Sequence, residues 1–279
     1  HAQTETRSDK SSWPASITLI SNLLILGSQT IVWRNNPLSF AVRMHPLALP
    51  PDYPRIQRVN SFQELVKTPF ANGVNALCWE RTLPGDFGEV VQRLGCTEGI
   101  VPISEARLLA LPVSAAGRTA IEVLREDQRA LREHGAAPVL NCFKSYPREE
   151  APHILATDVY SFHADSAPVV ADTFLCTYYG APSEGLRNED AQRRVDISET
   201  RAELLKFFGG EDNADFHGFL AENCYDLHYA PRAGAQPFSF GLGHLWRIAT
   251  DWPGSPVPPC IHRAPQDCPG QLPRLLLIC

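Results

Sequence analysis

The chain has 279 residues, a formal net charge of −6 and an apolar fraction of 44%, which suits one large domain or two small ones with a real core. The acidic balance argues against nucleic-acid binding, because phosphate contacts need clustered Lys and Arg. The apolar run Ile17–Leu26 is too short to cross a bilayer, so we predict no membrane contact.

The eight cysteines are scattered along the chain, and none forms a Cys-x-x-Cys pair. Such spacing does not favour a zinc cluster. We interpret them as buried, reduced thiols in a cytoplasmic protein. The positions are Cys78, Cys96, Cys142, Cys176, Cys224, Cys260, Cys268 and Cys279.

Residues 1–43 differ in sequence pattern from the rest of the chain and are predicted to be an ill-defined N-terminal extension. Met44 is the single methionine, and we hypothesise that translation naturally begins there. Residues 44–136 are predicted to be mainly helical, with one short strand at Gly73–Trp79, and to pack on the core. Their longest helix is expected from about Ser114 to His134, because apolar residues recur near helical spacing and a glycine follows.

Residues 137–279 alternate strand-like segments with one helical insert at about 185–225. The fold predicted from this order is α+β, with a double-stranded β-helix (jelly-roll, cupin-like) core and an N-terminal helical layer. The segments predicted to be β-rich are Val139–Tyr146, Thr157–His163, Thr173–Tyr179, Phe238–Ile248, Val257–His262 and Leu275–Ile278.

The tripeptide His163-Ala164-Asp165 carries two metal-binding side chains around one small residue. On an extended strand, residues two apart point to the same face, so both can reach one cation. They would supply two of the three ligands of a 2-His-1-carboxylate site, which leaves positions open on Fe(II). The same tripeptide is also compatible with a strand end at which Asp165 caps a turn and binds no metal.

The third ligand is predicted to be His262, at the end of the short apolar strand Val257–His262. His228 and His244 are the alternatives. His244, in Gly241-Leu-Gly-His-Leu-Trp246, lies on a predicted strand and fits a hydrogen-bonded core or rim histidine better.

Two arginines are candidates for binding a carboxylate of a small-molecule ligand. Arg274 opens the last predicted strand and could pair bidentately with a dicarboxylate, although an ordinary salt bridge at a strand start is equally compatible. Arg247, between apolar neighbours, is the second candidate. Tyr178 and Tyr179 are expected to face opposite sides of their strand, so that only one can line a pocket.

Four segments of the chain together resemble the Fe(II)/2-oxoglutarate-dependent dioxygenases, the prolyl-hydroxylase-like branch above all. They are His163-Ala-Asp165, Phe174-Leu-Cys-Thr-Tyr-Tyr-Gly180, Ile261-His-Arg263 and Arg274-Leu-Leu-Leu277. The order is also similar to a bacterial family with a Phe-His-x-Asp … His-Arg-Ser/Ala-Pro pattern and no assigned activity. The resemblance covers about residues 137–279. It departs from the dioxygenases in Gly180–Gly185 and in the large segment between Gly180 and Phe238.

The dioxygenase resemblance implies three iron ligands, His163, Asp165 and His262. It implies that Arg274 binds the far carboxylate of 2-oxoglutarate and that Tyr179 hydrogen-bonds the same group. The function it implies is a hydroxylase for a small-molecule or peptide substrate. A non-catalytic metal-binding cupin, acting as sensor or store, is the alternative, and a metal-free structural protein is a third hypothesis.

Overall fold

The computed structural model describes residues 49–96, 99–146, 154–268 and 270–279. The predicted extension at residues 1–43 lies outside them. The described residues form thirteen strands and six α-helices. In chain order these are β1 Ile56–Val59, α1 Phe62–Lys67, β2 Ala76–Trp79, α2 Phe87–Leu94, β3 Val101–Pro102, α3 Glu105–Leu109, α4 Ala115–Glu133, β4 Val139–Phe143, β5 Phe162–His163, β6 Asp172–Tyr179, β7 Glu184–Leu186, β8 Ala191–Arg193, α5 Ser198–Phe208, α6 Ala214–Glu222, β9 His228–Pro231, β10 Phe238–Ser239, β11 Leu245–Ala249, β12 Ile261–Arg263 and β13 Arg274–Ile278.

The strands form two sheets. The larger sheet has seven strands in the order β1-β2-β11-β6-β13-β4-β3, and only its β1–β2 pair is parallel. The smaller sheet has six strands in the order β10-β7-β12-β5-β9-β8, and all its pairs are antiparallel. The described part of the chain is therefore a mixed fold of helices and two β-sheets, as the sequence predicts at this coarser level.

One face of the larger sheet packs against helices α1–α4. Leu124 and Leu131 of α4 are fully buried in one cluster with Leu275 and Leu277 of β13. The helix itself begins after Ser114, whose hydroxyl accepts the N–H of Gly117, so the predicted helix is confirmed almost to its ends.

The opposite face of the larger sheet is turned towards the smaller sheet. Because side chains alternate along a strand, Arg274 and Leu276 point away from the helices, while Leu275 and Leu277 point towards them. Leu276 packs in a second cluster with Phe143, Trp246 and Phe240, and the Phe240 ring also stacks 6.3 Å from His262 of the smaller sheet. This interior between the sheets contains the predicted site.

Two predicted segments contain more β-structure than expected. Besides β2, which lies in the short strand expected at Gly73–Trp79, residues 44–136 contribute β1 and β3 to the larger sheet, and the segment predicted as a helical insert carries β7 and β8 as well as α5 and α6. The four unexpected strands have two to four residues. Strands this short give too few alternating positions for a periodicity to be recognised.

Cys96 and Cys142 are joined by a disulfide between the end of α2 and β4, with their Cα atoms 5.6 Å apart. The prediction of reduced thiols was therefore wrong for this pair. Sequence spacing cannot reveal such a pairing, because 46 residues separate the two cysteines. None of the described helices has both the length and the apolar character needed to cross a bilayer.

Candidate metal centre

His163 and Asp165 stay on one face because the chain after β5 remains extended. The backbone N–H of Ala164 donates to Leu227 at 3.0 Å, and the N–H of Asp251 donates to the carbonyl of Asp165 at 2.7 Å. These bonds continue the strand beyond its two formal residues and fix both side chains towards the same point.

His262 is the direct cross-strand neighbour of His163, since β12 and β5 are antiparallel with these two residues in register. Their ring centroids are 4.6 Å apart. Asp165 completes the group: its Oδ1 lies 3.8 Å from Nε2 of His163, and its Oδ2 lies 3.8 Å from Nε2 of His262. One ligand atom from each of the three residues lies within 4.8 Å of the other two, so this triad could hold a metal ion.

The spacing is close to that of a metal site. Ligand atoms about 2.1 Å from one cation lie about 3 Å apart when they occupy one face of its coordination sphere. The imidazoles are almost fully buried, whereas the Asp165 side chain is 30% exposed, so solvent can reach the centre beside this carboxylate.

Backbone carbonyls orient both imidazoles. Nδ1 of His163 lies 2.8 Å from the carbonyl oxygen of Ser161, and Nδ1 of His262 lies 3.4 Å from that of Cys260. An N–H at Nδ1 donating to these carbonyls leaves the Nε2 lone pair available, which is the usual arrangement for metal-binding histidines.

Electrostatics favours the metal-binding protonation states. Burial, together with the neighbouring His262, lowers the pKa of His163 to about 4, so its ring is neutral at pH 7. Burial acts to raise the pKa of Asp165, but His262 and a hydrogen bond from Thr173 outweigh it and lower that pKa below its ordinary value. A neutral imidazole and an ionised carboxylate bind a cation without first losing protons.

Arg274 is buried in the interior between the sheets, with 2% of its surface exposed. Its Nη2 donates to Ser183 Oγ at 3.1 Å and lies 3.5 Å from Thr177 Oγ1, while Nε and Nη1 have no hydrogen-bond partner in the described part of the chain. The guanidinium carbon lies 5.5 Å from the Phe143 ring centre and 5.9 Å from that of Tyr146. A buried guanidinium with free donors is costly unless something pairs with it.

The arginine and the triad are connected through β7. Ser183 precedes Gly185 by two residues, and Gly185 is directly opposite His262 in the β7–β12 ladder. Two strand residues span about 7 Å, which places the Arg274–Ser183 contact near the triad. Gly185 has no room for a side chain, because a Cβ there would meet the rings of Phe238 and Phe240.

Tyr179 lies on the opposite face of the larger sheet, against Gly88 of α2. Tyr178 faces the same helices and donates its hydroxyl to Asp127 at 2.6 Å. The prediction that the two tyrosines face opposite sides was wrong, since the register with β13 shifts between Leu275 and Leu276 and interrupts the alternation. Tyr146, three residues after the end of β4, lies beside Arg274.

Arg247 is also placed away from the triad. Its Nε and Nη2 pair with Asp172 at 2.7 Å, and its Nη1 donates to three carbonyls at the end of α1. Its donors are therefore occupied by the protein itself. Arg247 therefore anchors the end of α1, whereas the sequence prediction was that it binds a carboxylate of a small-molecule ligand.

The two alternative histidines are not brought into the triad. His228, on β9, is the cross-strand neighbour of His163 on the side away from His262, with ring centroids 5.8 Å apart. His244 accepts the backbone N–H of Arg81 at its Nδ1. Sequence reasoning missed Thr173, Thr177 and Ser183, although strand parity would have placed Thr173 and Thr177 on one face of β6.

Comparison of the chain with known protein families, with curated proteins and with solved structures found no match. The resemblance to the dioxygenases therefore stays a prediction that rests on its short motifs. The geometry of the triad and of Arg274 is an independent observation about this chain.

Proposed function

We propose that this protein is a non-haem Fe(II)- and 2-oxoglutarate-dependent oxygenase. The observation that carries the proposal is the convergence of His163, Asp165 and His262 with a buried, incompletely paired Arg274 in the same interior. A metal triad alone fits many proteins. A metal triad beside a buried guanidinium, whose Nε and Nη1 have no hydrogen-bond partner among the described residues, fits a metal that works with an anionic co-substrate.

The finer architecture in this proposal is a jelly-roll, in which two facing sheets enclose the site. It is supported by the distribution of the site residues over the sheets: β5 and β12 of the smaller sheet carry the histidines, and β13 of the larger sheet carries Arg274. The smaller sheet is antiparallel throughout, as that architecture requires.

The donor set suits iron. Two imidazole nitrogens and one carboxylate oxygen on one side of a cation form the facial arrangement that non-haem Fe(II) oxygenases use, with the opposite positions open. The neutral state of His163 and the ionised state of Asp165 hold the ligands ready at neutral pH.

Arg274 is suited to the far carboxylate of 2-oxoglutarate. A guanidinium presents a planar fork of N–H donors that matches a carboxylate, and such a pair is strongest away from water. The hydroxyls of Ser183 and Thr177 hold one side of the fork and leave Nε and Nη1 for the ligand.

When bound, Fe(II) and 2-oxoglutarate would supply the oxidation that converts a C–H bond and O2 into a hydroxyl group, with succinate and CO2 as the other products. The protein's own residues fix the ligand geometry, orient the co-substrate through Arg274 and keep water from the buried side of the site. The substrate is a small molecule or a peptide in this proposal.

The proposal is tested by supplying Fe(II), 2-oxoglutarate and O2 to the metal-free protein and measuring succinate. We expect slow, uncoupled succinate formation that disappears in Asp165→Ala and Arg274→Met. Stoichiometric metal binding without succinate formation, even with candidate substrates, would favour the non-catalytic metal-binding alternative. Absence of bound metal would contradict both.

A further inference from the structure

The hydrogen bond between Thr173 and Asp165 links the two sheets at the metal centre. Thr173 Oγ1 donates to Asp165 Oδ2 at 2.6 Å. Thr173 belongs to β6 of the larger sheet and is 8% exposed, whereas Asp165 follows β5 of the smaller sheet. One sheet therefore supplies the carboxylate ligand, and the other supplies the group that orients it.

Thr173 is held firmly in place. Its backbone lies in the β6–β11 ladder opposite Ile248. The preceding Asp172 points to the other face, where Arg247 pairs with it and is anchored on the end of α1. A β-branched side chain on such a strand has few rotamers, so the direction of the hydroxyl is fixed by the fold.

This contact restricts the carboxylate. The Asp165 backbone is fixed by the N–H of Asp251, and its Oδ2 accepts the threonine hydroxyl. Both the position and the rotation of the group are thus defined before any cation binds, and Oδ1 lies 3.8 Å from Nε2 of His163. Binding through one oxygen leaves more positions open on the metal than chelation by both oxygens would.

We propose that Thr173 is a positioning residue that presents Asp165 to the cation, a role that rests on the metal site proposed above. Hydrogen-bond partners of metal ligands in general change metal affinity by 10- to 100-fold when they are removed. Here the partner comes from the opposite sheet, so the same contact also makes the ligand geometry depend on the packing of the two sheets.

The test compares Thr173→Val, which keeps the shape but loses the hydroxyl, with Thr173→Ser, which keeps the hydroxyl. Both variants and the wild-type protein are titrated with Co(II) under anaerobic conditions, and affinity and the visible Co(II) spectrum are recorded. Thermal unfolding of the metal-free proteins serves as the control for folding. We expect Thr173→Val to bind Co(II) about 10- to 100-fold more weakly with an altered spectrum, and Thr173→Ser to retain wild-type affinity and spectrum.

Three results would overturn the inference. Wild-type affinity and spectrum in Thr173→Val would leave the metal site intact but remove the role of Thr173. Equal weakening in both variants would assign Thr173 to packing instead of hydrogen bonding. A wild-type protein that binds no Co(II) would remove the proposed metal site, and this inference with it.

Discussion

His163 and His262 are direct neighbours on antiparallel strands, with their ring centroids 4.6 Å apart. The pairing exists only in the folded protein, because the two residues are far apart in the sequence. Metal binding should therefore be coupled to folding.

The first prediction is that a bound divalent metal raises the stability of the protein. A ligand that binds only the folded state adds about 2.7 kcal/mol at a free concentration one hundred times its Kd. We expect Co(II) to raise the midpoint of thermal unfolding of the wild-type protein and to leave that of His262→Ala unchanged. His228→Ala, outside the triad, is the matched control and should retain the metal-dependent rise.

Replacement of Arg274 by Met should weaken 2-oxoglutarate binding without affecting the metal. Hydrogen bonds to a charged partner contribute about 1.5–3 kcal/mol, which corresponds to about a 10- to 150-fold loss of affinity. The metal-free variant should be as stable as the wild-type protein or slightly more stable, because burial disfavours the charge and lowers the pKa of Arg274. Isothermal titration and denaturant unfolding measure the two quantities.

Arg247→Met is the contrasting variant. Arg247 pairs with Asp172 and with the end of α1, so its loss should reduce stability while the affinity for 2-oxoglutarate stays unchanged. If Arg247→Met instead lowered that affinity and Arg274→Met did not, the assignment of the co-substrate anchor would be wrong.

The stability of the metal-free protein should fall as the pH is lowered from 7 to 4. The pKa of His163 is about 4 in the folded state and about 6.5 in an unfolded chain, so the unfolded chain binds more protons in this range. The loss attributable to His163 is at most about 3 kcal/mol. The lowered pKa of Asp165 acts in the same direction, but only at still lower pH.

Urea unfolding of chelator-treated protein at several pH values measures this dependence. His163→Gln should flatten it between pH 4 and 7. A wild-type stability that rises on acidification would contradict the electrostatic description of the site.

Asp127 of α4 should be a major determinant of stability. It receives two guanidinium bonds from Arg81, at 2.7 and 2.8 Å, and the hydroxyl of Tyr178. Both members of the ion pair are almost fully buried, so Asp127→Asn should cost about 3 kcal/mol by leaving the Arg81 charge without its partner. Glu126→Gln, at the exposed neighbouring position, should change stability by less than about 0.5 kcal/mol in the same denaturant experiment.

Local patterns in the sequence predicted those parts of the molecule that local physics determines. Helix α4 has both an amphipathic repeat and end signals, and His163-Ala-Asp165 shares a face because an extended chain alternates. The Arg247 prediction failed for a physical reason. The alternation of side chains along a strand indicates to which face of the sheet a side chain points. It does not indicate whether that side chain contacts a helix end or a ligand.

Tertiary contacts decide the remaining features. The disulfide of Cys96 with Cys142 and the cross-sheet hydrogen bond of Thr173 each join different elements of the fold. The shift of register at Tyr178–Tyr179 depends on one extra residue in a strand. No composition or spacing rule contains that information. His262 was predicted as the third ligand from its place on a strand near the C-terminus. Its position directly opposite His163 follows only from the pairing of β12 with β5.

The most direct test of the proposed function is the anaerobic absorption spectrum of the protein with Fe(II) and 2-oxoglutarate. If the triad holds iron and Arg274 holds the co-substrate beside it, a weak visible charge-transfer band should appear with one equivalent of each and should be absent in Asp165→Ala. A wild-type protein that binds Fe(II) but develops no band on addition of 2-oxoglutarate would contradict the account.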